Sequence, residues 1–239
     1  MARTSRPTAV CLIFLFGLFA FASEAVVAQT DGAIVHLRLQ RNGLKPSEHL
    51  PPAAIWLQPR QGTSAPPFTQ KGPYTLAQKN RTFVPHLLVV PVGTIVHFPN
   101  EDPFFHNVFS LFNGKKFDLG LYEAGSTKDV EFTREGVSYI FCNIHPEMSA
   151  VVLALSTPLY AVAGRDGTMA VHGVPQGDYV AHVWIEGMSQ PELDRLARNV
   201  HVDAVPIDLG AIDAAPKPSS PTHLNKFGQP YDKDAKPPY

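Results

Sequence analysis

Short runs in which apolar and polar residues alternate recur along this chain, and they restrict it to β structure. In the run Ala33–Gln40, the side chains of Val35, Leu37 and Leu39 share one face of an extended segment. This is the pattern of a strand with one buried side. The chain contains 17 glycines and 23 prolines, which favour turns between such runs, and long amphipathic helical patterns are absent. We therefore predict an all-β protein built from sandwiches or barrels.

The predicted strands fall into three blocks followed by a tail. The first block has strands at 33–40 and 53–59, and the second, from about residue 74 to 155, has strands within 82–100, 128–136, 137–142 and 150–155. The third block has strands on either side of a turn at 174–177 and within 199–210, with one helical turn capped by Ser189 and Glu192. Six prolines among polar residues predict a disordered tail over 213–239.

The first 28 residues have the layout of a secretory signal peptide. Arg3 and Arg6 precede an apolar run over 9–22, and small residues follow it up to Ala28. A membrane anchor is the alternative, but the run is shorter than the roughly 20 residues that span a bilayer. We therefore expect cleavage after Ala28, a periplasmic location and no membrane span in the mature chain.

Removal of this peptide would take Cys11 away and leave Cys142 as the single cysteine. One cysteine cannot form an internal disulfide, so in an oxidising compartment it must be buried or bound to a metal. His145 and Met148 follow it at intervals of three residues, and His106 lies upstream. Two imidazoles, one thiolate and a weak thioether are the ligands of copper sites that transfer electrons. The motif therefore predicts such a copper site.

Simpler interpretations of these residues exist. A buried cysteine can pack as a small apolar residue, and a methionine can fill a core. The position of the C-x-x-H-x-x-M motif between two predicted strands favours the ligand interpretation. Asn107 beside His106 is suited to a hydrogen bond that ties the two ligand loops together. His86 and His97 are the best candidates for further ligands among the other histidines.

Residues 72–156 resemble the cupredoxins, the blue copper family of plastocyanin and amicyanin. The segments that carry the resemblance are "PVGTIVHFPN", "FHNV" and "CNIHPEM", the last with the short cysteine-to-methionine spacing of amicyanin. The resemblance implies a Greek-key sandwich, one type 1 copper and one-electron transfer. It also implies that His106, Cys142 and His145 are equatorial ligands and that Met148 is axial. The chain is similar, too, to exported proteins labelled "methylamine utilization protein", a label that implies no such metabolism here.

The resemblance also implies where electrons would pass. In cupredoxins the edge of the second imidazole reaches solvent through an apolar patch, which in this chain would surround His145. The expected electron-transfer surface consists of Phe104, Phe105, Pro146 and Glu147. Glu147 makes this surface more acidic than in amicyanin-like proteins. Two kinds of redox partner therefore remain open: a c-type cytochrome and a periplasmic dehydrogenase.

The flanking blocks resemble a second family. The segment "DGTMAVHGVPQGDYVAHVW" is similar to the signature of transthyretin-like, carboxypeptidase-regulatory-like β-sandwiches. Its early strands would be those before the copper block. We therefore predict a discontinuous sandwich, 31–62 with 157–212, into which the copper domain 72–156 is inserted. The alternative is that 31–62 extends the cupredoxin sheet.

These observations predict a periplasmic electron carrier that is not itself an enzyme. The main alternative is a copper-handling protein without an electron-transfer role. A copper oxidase or nitrite reductase would need a second copper site with additional histidines, and a carbohydrate-binding sandwich would not need an intact ligand set. The net charge of −1 and the lack of a basic block argue against a nucleic-acid partner.

Overall fold

Seventeen strands and one short helix make up the described part of the chain, which confirms the prediction of an all-β protein. The computed structural model describes residues 32–43, 49–68, 72–111, 114–214 and 225–231. The predicted signal peptide, 1–28, lies outside these residues. The described residues include no helix that is long and apolar enough to cross a bilayer.

Ten strands between residues 74 and 155 form two sheets and a hairpin. They are β3 (Tyr74–Thr75), β4 (Ala77–Lys79), β5 (Thr82–Val84), β6 (Leu87–Pro91), β7 (Thr94–Pro99), β8 (His106–Ser110), β9 (Phe117–Tyr122), β10 (Thr127–Phe132), β11 (Gly136–Phe141) and β12 (Ser149–Leu155). One sheet has the order β10-β7-β3, the other has the order β6-β12-β11-β8-β9, and β4 pairs with β5. Side chains such as Val96, Phe98 and Val152 fill the core of this sandwich, which we call the copper-side sandwich because it contains the predicted copper ligands.

The other seven strands and the helix belong to a second sandwich. They are β1 (Ala33–Gln40), β2 (Ala53–Pro59), β13 (Tyr160–Val162), β14 (Thr168–Val174), β15 (Gly177–Ile185), α1 (Gln190–Leu196), β16 (Arg198–Val202) and β17 (Ile207–Asp213). Their sheets have the orders β13-β2-β15-β16 and β14-β1-β17. The Glu192 side chain accepts a hydrogen bond from the Ser189 N–H at 2.8 Å, so the predicted capping residues do begin a helix, of two turns and not one.

Strand β1 pairs with strands from the far end of the chain. It is antiparallel to β14, with Leu37 opposite Met169, and parallel to β17, with Val35 opposite Ile207. Strand β2 pairs with β15 over its whole length. The insertion hypothesis requires this pairing, because the alternative would place β1 beside β6, β7 or β12. The domain boundaries 31–62, 72–156 and 157–212 themselves remain our prediction.

Strand β12 joins the two sandwiches because both of its faces are buried. Val152 points into the copper-side core, whereas Leu153 and Leu155 lie in a separate apolar cluster with Ala54 of β2. Trp184 of β15 also approaches across this junction, and its indole N–H donates to the Tyr139 hydroxyl at 3.5 Å. All described residues fall in one compact unit, Asp31–Tyr239. The two sheets of each sandwich therefore stack on one another, and the two sandwiches stack in turn. An apolar cluster fills each of the three spaces between neighbouring sheets.

The structure differs from the predicted tail at two places. Asp213 still belongs to β17, and Ala214 is buried against the core of the second sandwich. Residues 225–231 form a turn that lies against the copper-side sandwich. Local hydrogen bonds made by the Asn225 side chain hold this turn, and composition alone does not reveal them.

Candidate metal centre

A tight loop between β11 and β12 carries three of the four predicted ligands. The N–H of Cys142 donates to the carbonyl of Met148 at 3.3 Å, and the N–H of Met148 donates to the carbonyl of His145 at 2.9 Å. These two bonds close the loop on itself. All three residues are buried, with exposures of 0%, 1% and 5% for Cys142, Met148 and His145.

The fourth residue, His106, begins β8, the strand next to β11. Phe109 of β8 pairs with Phe141, the residue before Cys142, so the imidazole of His106 lies beside the loop. The approach to β8 is shaped by Asn100, whose amide donates to the Phe104 carbonyl at 2.8 Å. Two strand ends of one sheet thus bring residues 36 positions apart to a single point.

Three heteroatoms converge at this point. The Cys142 sulfur lies 3.7 Å from Nδ1 of His106 and 3.8 Å from Nδ1 of His145, and the two nitrogens are 3.2 Å apart. A point equidistant from three atoms at these separations lies roughly 2.1 Å from each, close to the lengths of metal bonds to imidazole nitrogen and thiolate sulfur. These residues form the one group of three or more His, Cys, Asp or Glu residues in the described chain with ligand spacing. The cluster therefore fits a metal ion.

Burial disfavours charge on both loop ligands when no metal is bound. It raises the pKa of the Cys142 thiol, although the backbone N–H groups of Asn107, Ile144 and His145 act in the opposite direction as donors to the sulfur. Burial also lowers the pKa of His145, and the nearby His106 lowers it further. A cation at the centre would compensate for the cost of a buried thiolate, because metal binding and deprotonation are coupled.

Sequence analysis missed Asp102, which accepts a hydrogen bond from Nε2 of His106 at 2.8 Å. Burial raises the pKa of Asp102, but donation by the Arg81 N–H, His106 and the Asn80 N–H holds it below its usual value. The carboxylate fixes the imidazole so that Nδ1 is the nitrogen turned toward the cluster. An acidic residue four positions before a ligand histidine is the signal that could have identified it.

Asn107 supports the site in a different way from the one predicted. Its side-chain amide donates to the Asp118 carboxylate at 2.7 Å and to the Gly120 carbonyl at 3.1 Å, so it ties β8 to β9. Its Oδ1 atom is buried without a hydrogen-bond partner in the described structure. The link to the ligand loop itself comes from the backbone N–H of Asn107, which is a donor to the Cys142 sulfur.

Met148 packs in the copper-side core together with Cys142. Its backbone closes the ligand loop through the bonds to Cys142 and His145. The role of its thioether as an axial ligand remains a prediction.

The predicted electron-transfer surface lies around the cluster. The ring of Phe104 packs 5.2 Å from that of His106 and 5.5 Å from that of His145. Phe105 is 45% exposed, and Pro146 and Glu147 are exposed too. Sequence analysis missed Arg81, whose guanidinium lies 5.1 Å from the centre of the Phe104 ring. A cation therefore accompanies Glu147 at this surface, which is less acidic than the sequence suggested.

The two other candidate histidines lie outside the cluster. His86 bonds to Glu186 at 2.6 Å, and His97 bonds to Asp129 at 2.7 Å. Each has a carboxylate partner of its own, and neither belongs to the group with ligand spacing.

Several solved copper proteins are similar to part of this chain. A purple cupredoxin from Nitrosopumilus maritimus is 26% identical over 35% of this chain and all of its own, with a TM-score of 0.32. A copper-containing nitrite reductase from Thermus scotoductus is 24% identical over 49% of this chain and 28% of its own, with a TM-score of 0.34. A variant of amicyanin in the reduced state is 22% identical over 38% of this chain and 94% of its own, with a TM-score of 0.33.

No protein-family model matches the chain, and no curated protein matches it. Because the TM-scores fall below 0.5, we judge the site by its own ligand geometry. The chain is an all-β protein with several sheets and a buried His-Cys-His cluster whose dimensions fit a metal ion.

Proposed function

We propose that the protein is an exported, periplasmic cupredoxin that holds one type 1 copper and carries single electrons between redox partners. The observation that carries this proposal is the convergence of the Cys142 sulfur with Nδ1 of His106 and of His145. One thiolate and two imidazoles in a trigonal set, with a weak thioether such as that of Met148, are characteristic of copper sites that transfer electrons.

The chain's own residues are suited to this task. A bound copper would supply the exchange of one electron between Cu(I) and Cu(II). The closed loop and the Asp102–His106 bond fix the ligand atoms, so that little rearrangement accompanies a change of charge. Burial of Cys142 and Met148 excludes water from the sulfur donors.

Electrons would pass at the surface near His145. The side chain of Phe104 bridges the two imidazoles, and the exposed Phe105 and Pro146 supply apolar area for docking. A c-type cytochrome or a periplasmic dehydrogenase is the partner that we propose, with Glu147 and Arg81 as charges at the rim of the contact.

A copper-handling protein is the second candidate, because the same buried donor set would also retain copper for delivery. Catalysis is the third candidate, although a nitrite reductase would need a second copper site and the described residues contain one group with ligand spacing. These alternatives differ in what the loaded protein does: a carrier cycles between two oxidation states, a delivery protein gives up its metal, and a reductase consumes nitrite.

The first test is addition of Cu(II) to the purified apo-protein while the visible spectrum is recorded. We expect an intense charge-transfer band that saturates at one equivalent of copper. The variant Cys142→Ser should lack the band, because a hydroxyl cannot replace the soft thiolate. A band that persists in this variant would refute the assignment of Cys142.

Voltammetry of the loaded protein then separates the alternatives. A reversible one-electron wave, with copper retained in the presence of a chelator, supports the carrier. Rapid transfer of copper to an acceptor protein without such a wave supports delivery, and consumption of nitrite by the loaded protein supports a reductase.

A further inference from the structure

A short segment from the predicted tail, residues 225–231, lies against the loop that carries the ligands. The Oδ1 atom of Asn225 accepts hydrogen bonds from the N–H of Phe227 at 2.9 Å and of Gln229 at 3.0 Å. The Asn225 N–H donates to the Gln229 carbonyl at 2.8 Å. Gly228 has a φ of +75°, which glycine adopts without strain. The segment is therefore a closed turn with its own hydrogen bonds.

Two hydrogen bonds join this turn to the peptide at the ligand sulfur. The hydroxyl of Tyr231 donates to the carbonyl of Cys142 at 3.1 Å, and the N–H of Lys226 donates to Oδ1 of Asn143 at 3.0 Å. The loop has only two described backbone bonds of its own, between Cys142 and Met148 and between Met148 and His145. The tail segment thus adds two hydrogen bonds to these two backbone bonds and to the N–H groups that donate to the Cys142 sulfur.

A third contact joins the turn to Asp118 of β9, the strand beside the one that carries His106. The ammonium of Lys226 donates to one oxygen of the Asp118 carboxylate at 2.9 Å, and the side chain of Asn107 donates to the other oxygen at 2.7 Å. The same carboxylate accepts the Gly120 N–H at 2.9 Å. The Asp118 carboxylate therefore connects the tail segment to Asn107, the residue next to His106.

We propose that residues 225–231 form a brace in which Tyr231 and Lys226 are positioning residues for the ligand loop and keep the three ligand atoms converged. The inference rests on the proposed copper function where it concerns the loaded protein. Its first consequence, a closed loop around a buried sulfur, holds for the apo-protein as well, because the brace bonds to backbone and side-chain atoms and not to a metal.

The first experiment measures how fast iodoacetamide alkylates Cys142 in the folded apo-protein, followed by mass spectrometry of the peptide that contains it. The sulfur is fully buried, so the reaction reports opening of the loop. The variants are Tyr231→Phe, which removes one hydroxyl, and a chain that ends at residue 224. Tyr160→Phe, a half-buried tyrosine of the second sandwich, is the matched control.

One hydrogen bond of ordinary strength corresponds to about a fivefold change in an opening equilibrium. We therefore expect alkylation to be about fivefold faster in Tyr231→Phe and roughly 25-fold faster in the shortened chain, in which both bonds to the loop are lost. The control should stay within twofold of the parent protein. Rates within twofold in both the Tyr231→Phe variant and the shortened chain would overturn the proposal.

The second experiment uses the copper-loaded proteins and records the visible spectrum, the electron paramagnetic resonance spectrum and the reduction potential. A brace that positions the sulfur should, when removed, shift the charge-transfer band and the potential and speed loss of copper to a chelator. If the shortened chain melts at a lower temperature but keeps all three signatures, the segment only adds stability and the positioning role is refuted.

The two proposals fail in different ways. If the parent protein gains no colour with copper, the proposed function is wrong, while the alkylation rates still decide whether the brace exists. If the parent protein is blue and the shortened chain is indistinguishable from it in both experiments, the copper function stands and the brace is wrong.

Discussion

The two sandwiches differ in what they bury. Nine of the ten buried polar or charged residues of the described chain lie in the copper-side block, and only Thr157 lies in the other. Four of these nine, Asn100, Asp102, His106 and Asn107, lie in one short stretch beside the cluster. Burial of a polar group costs free energy unless it is paired. Hydrogen bonds such as those of Asn100 to the Phe104 carbonyl and of His106 to Asp102 offset this cost in the copper-side block, whereas the second sandwich buries almost only apolar side chains.

The largest expected difference between the two sandwiches concerns stability. Leu37 is 1% exposed in the core of the second sandwich, and Leu37→Ala should lower the free energy of unfolding by about 2–5 kcal/mol. The copper band per folded molecule should not change. Denaturant titration and visible spectroscopy measure the two effects, with Val205→Ala, an exposed position of the same sandwich, as the control.

Loss of the copper band in the folded Leu37→Ala protein would contradict this separation, because it would show that the second core shapes the site.

Paired methionine variants sharpen the comparison. If Met148 is the axial ligand, Met148→Leu should retain copper, because an axial thioether binds weakly, and should raise the reduction potential by about 60–120 mV, which is a ten- to hundredfold change in relative affinity for Cu(I). Voltammetry measures it. Met169→Leu alters an equally buried methionine of the second sandwich and should leave the potential unchanged. Equal potentials in the two variants would remove Met148 from the ligand set.

Charge at the docking surface should mainly change the rate at which the protein encounters a partner. Glu147→Lys should change the rate of electron transfer with a c-type cytochrome several-fold at low salt, and the change should vanish at high salt. Stopped-flow mixing measures the rate. Glu131→Lys, an exposed position on β10, makes the same change of charge away from the cluster. A rate that both variants change equally would reflect net charge and not docking near His145.

The smallest expected effect lies at the junction of the sandwiches. Hydrogen bonding to Glu186 raises the pKa of His86, so the pair stabilises the fold below the unfolded pKa of about 6.5, and this contribution is lost as pH rises through the higher folded pKa. The His86 side chain is 38% exposed, so solvent screening keeps the contribution below about 1 kcal/mol.

We therefore expect His86→Gln to be less stable than the parent protein near pH 6 and equally stable at the alkaline end of the titration. Denaturant titrations across this pH range measure the difference, with His172→Gln on the exposed face of β14 as the control. A difference that does not vary with pH would show that the pair contributes nothing through its charge.

The sequence predicted those strands that have one buried face or a short apolar run. β1 and β2 begin and end where their patterns predicted, at 33–40 and 53–59. β8 and β9 were missed, since all five residues of β8 are buried and β9 contains a glycine within an irregular pattern. Alternation is visible only when one face of a strand meets water.

The predicted ligands Cys142 and His145 lie close together in sequence on one loop, and the structure brings them together with His106. Their role as copper ligands remains a prediction. Asp102 and Tyr231 were missed, since the fold brings them to the cluster from different elements. Tyrosine is common in tails, so nothing in the local sequence distinguishes Tyr231, whereas Asp102 is marked only by its position four residues before His106.

The shared strand β12 limits how this molecule could be divided. It follows the ligand loop directly, and its residues belong to three apolar clusters: Val152 to the copper-side core, Val151 to the core of the second sandwich, and Leu153 and Leu155 to the cluster between them. Excision of 72–156 as a separate protein would leave Leu153 and Leu155 facing water along a sheet, a surface that favours aggregation. Gene duplication or engineering could therefore transplant the two sandwiches as a pair far more readily than the half with the candidate metal centre alone.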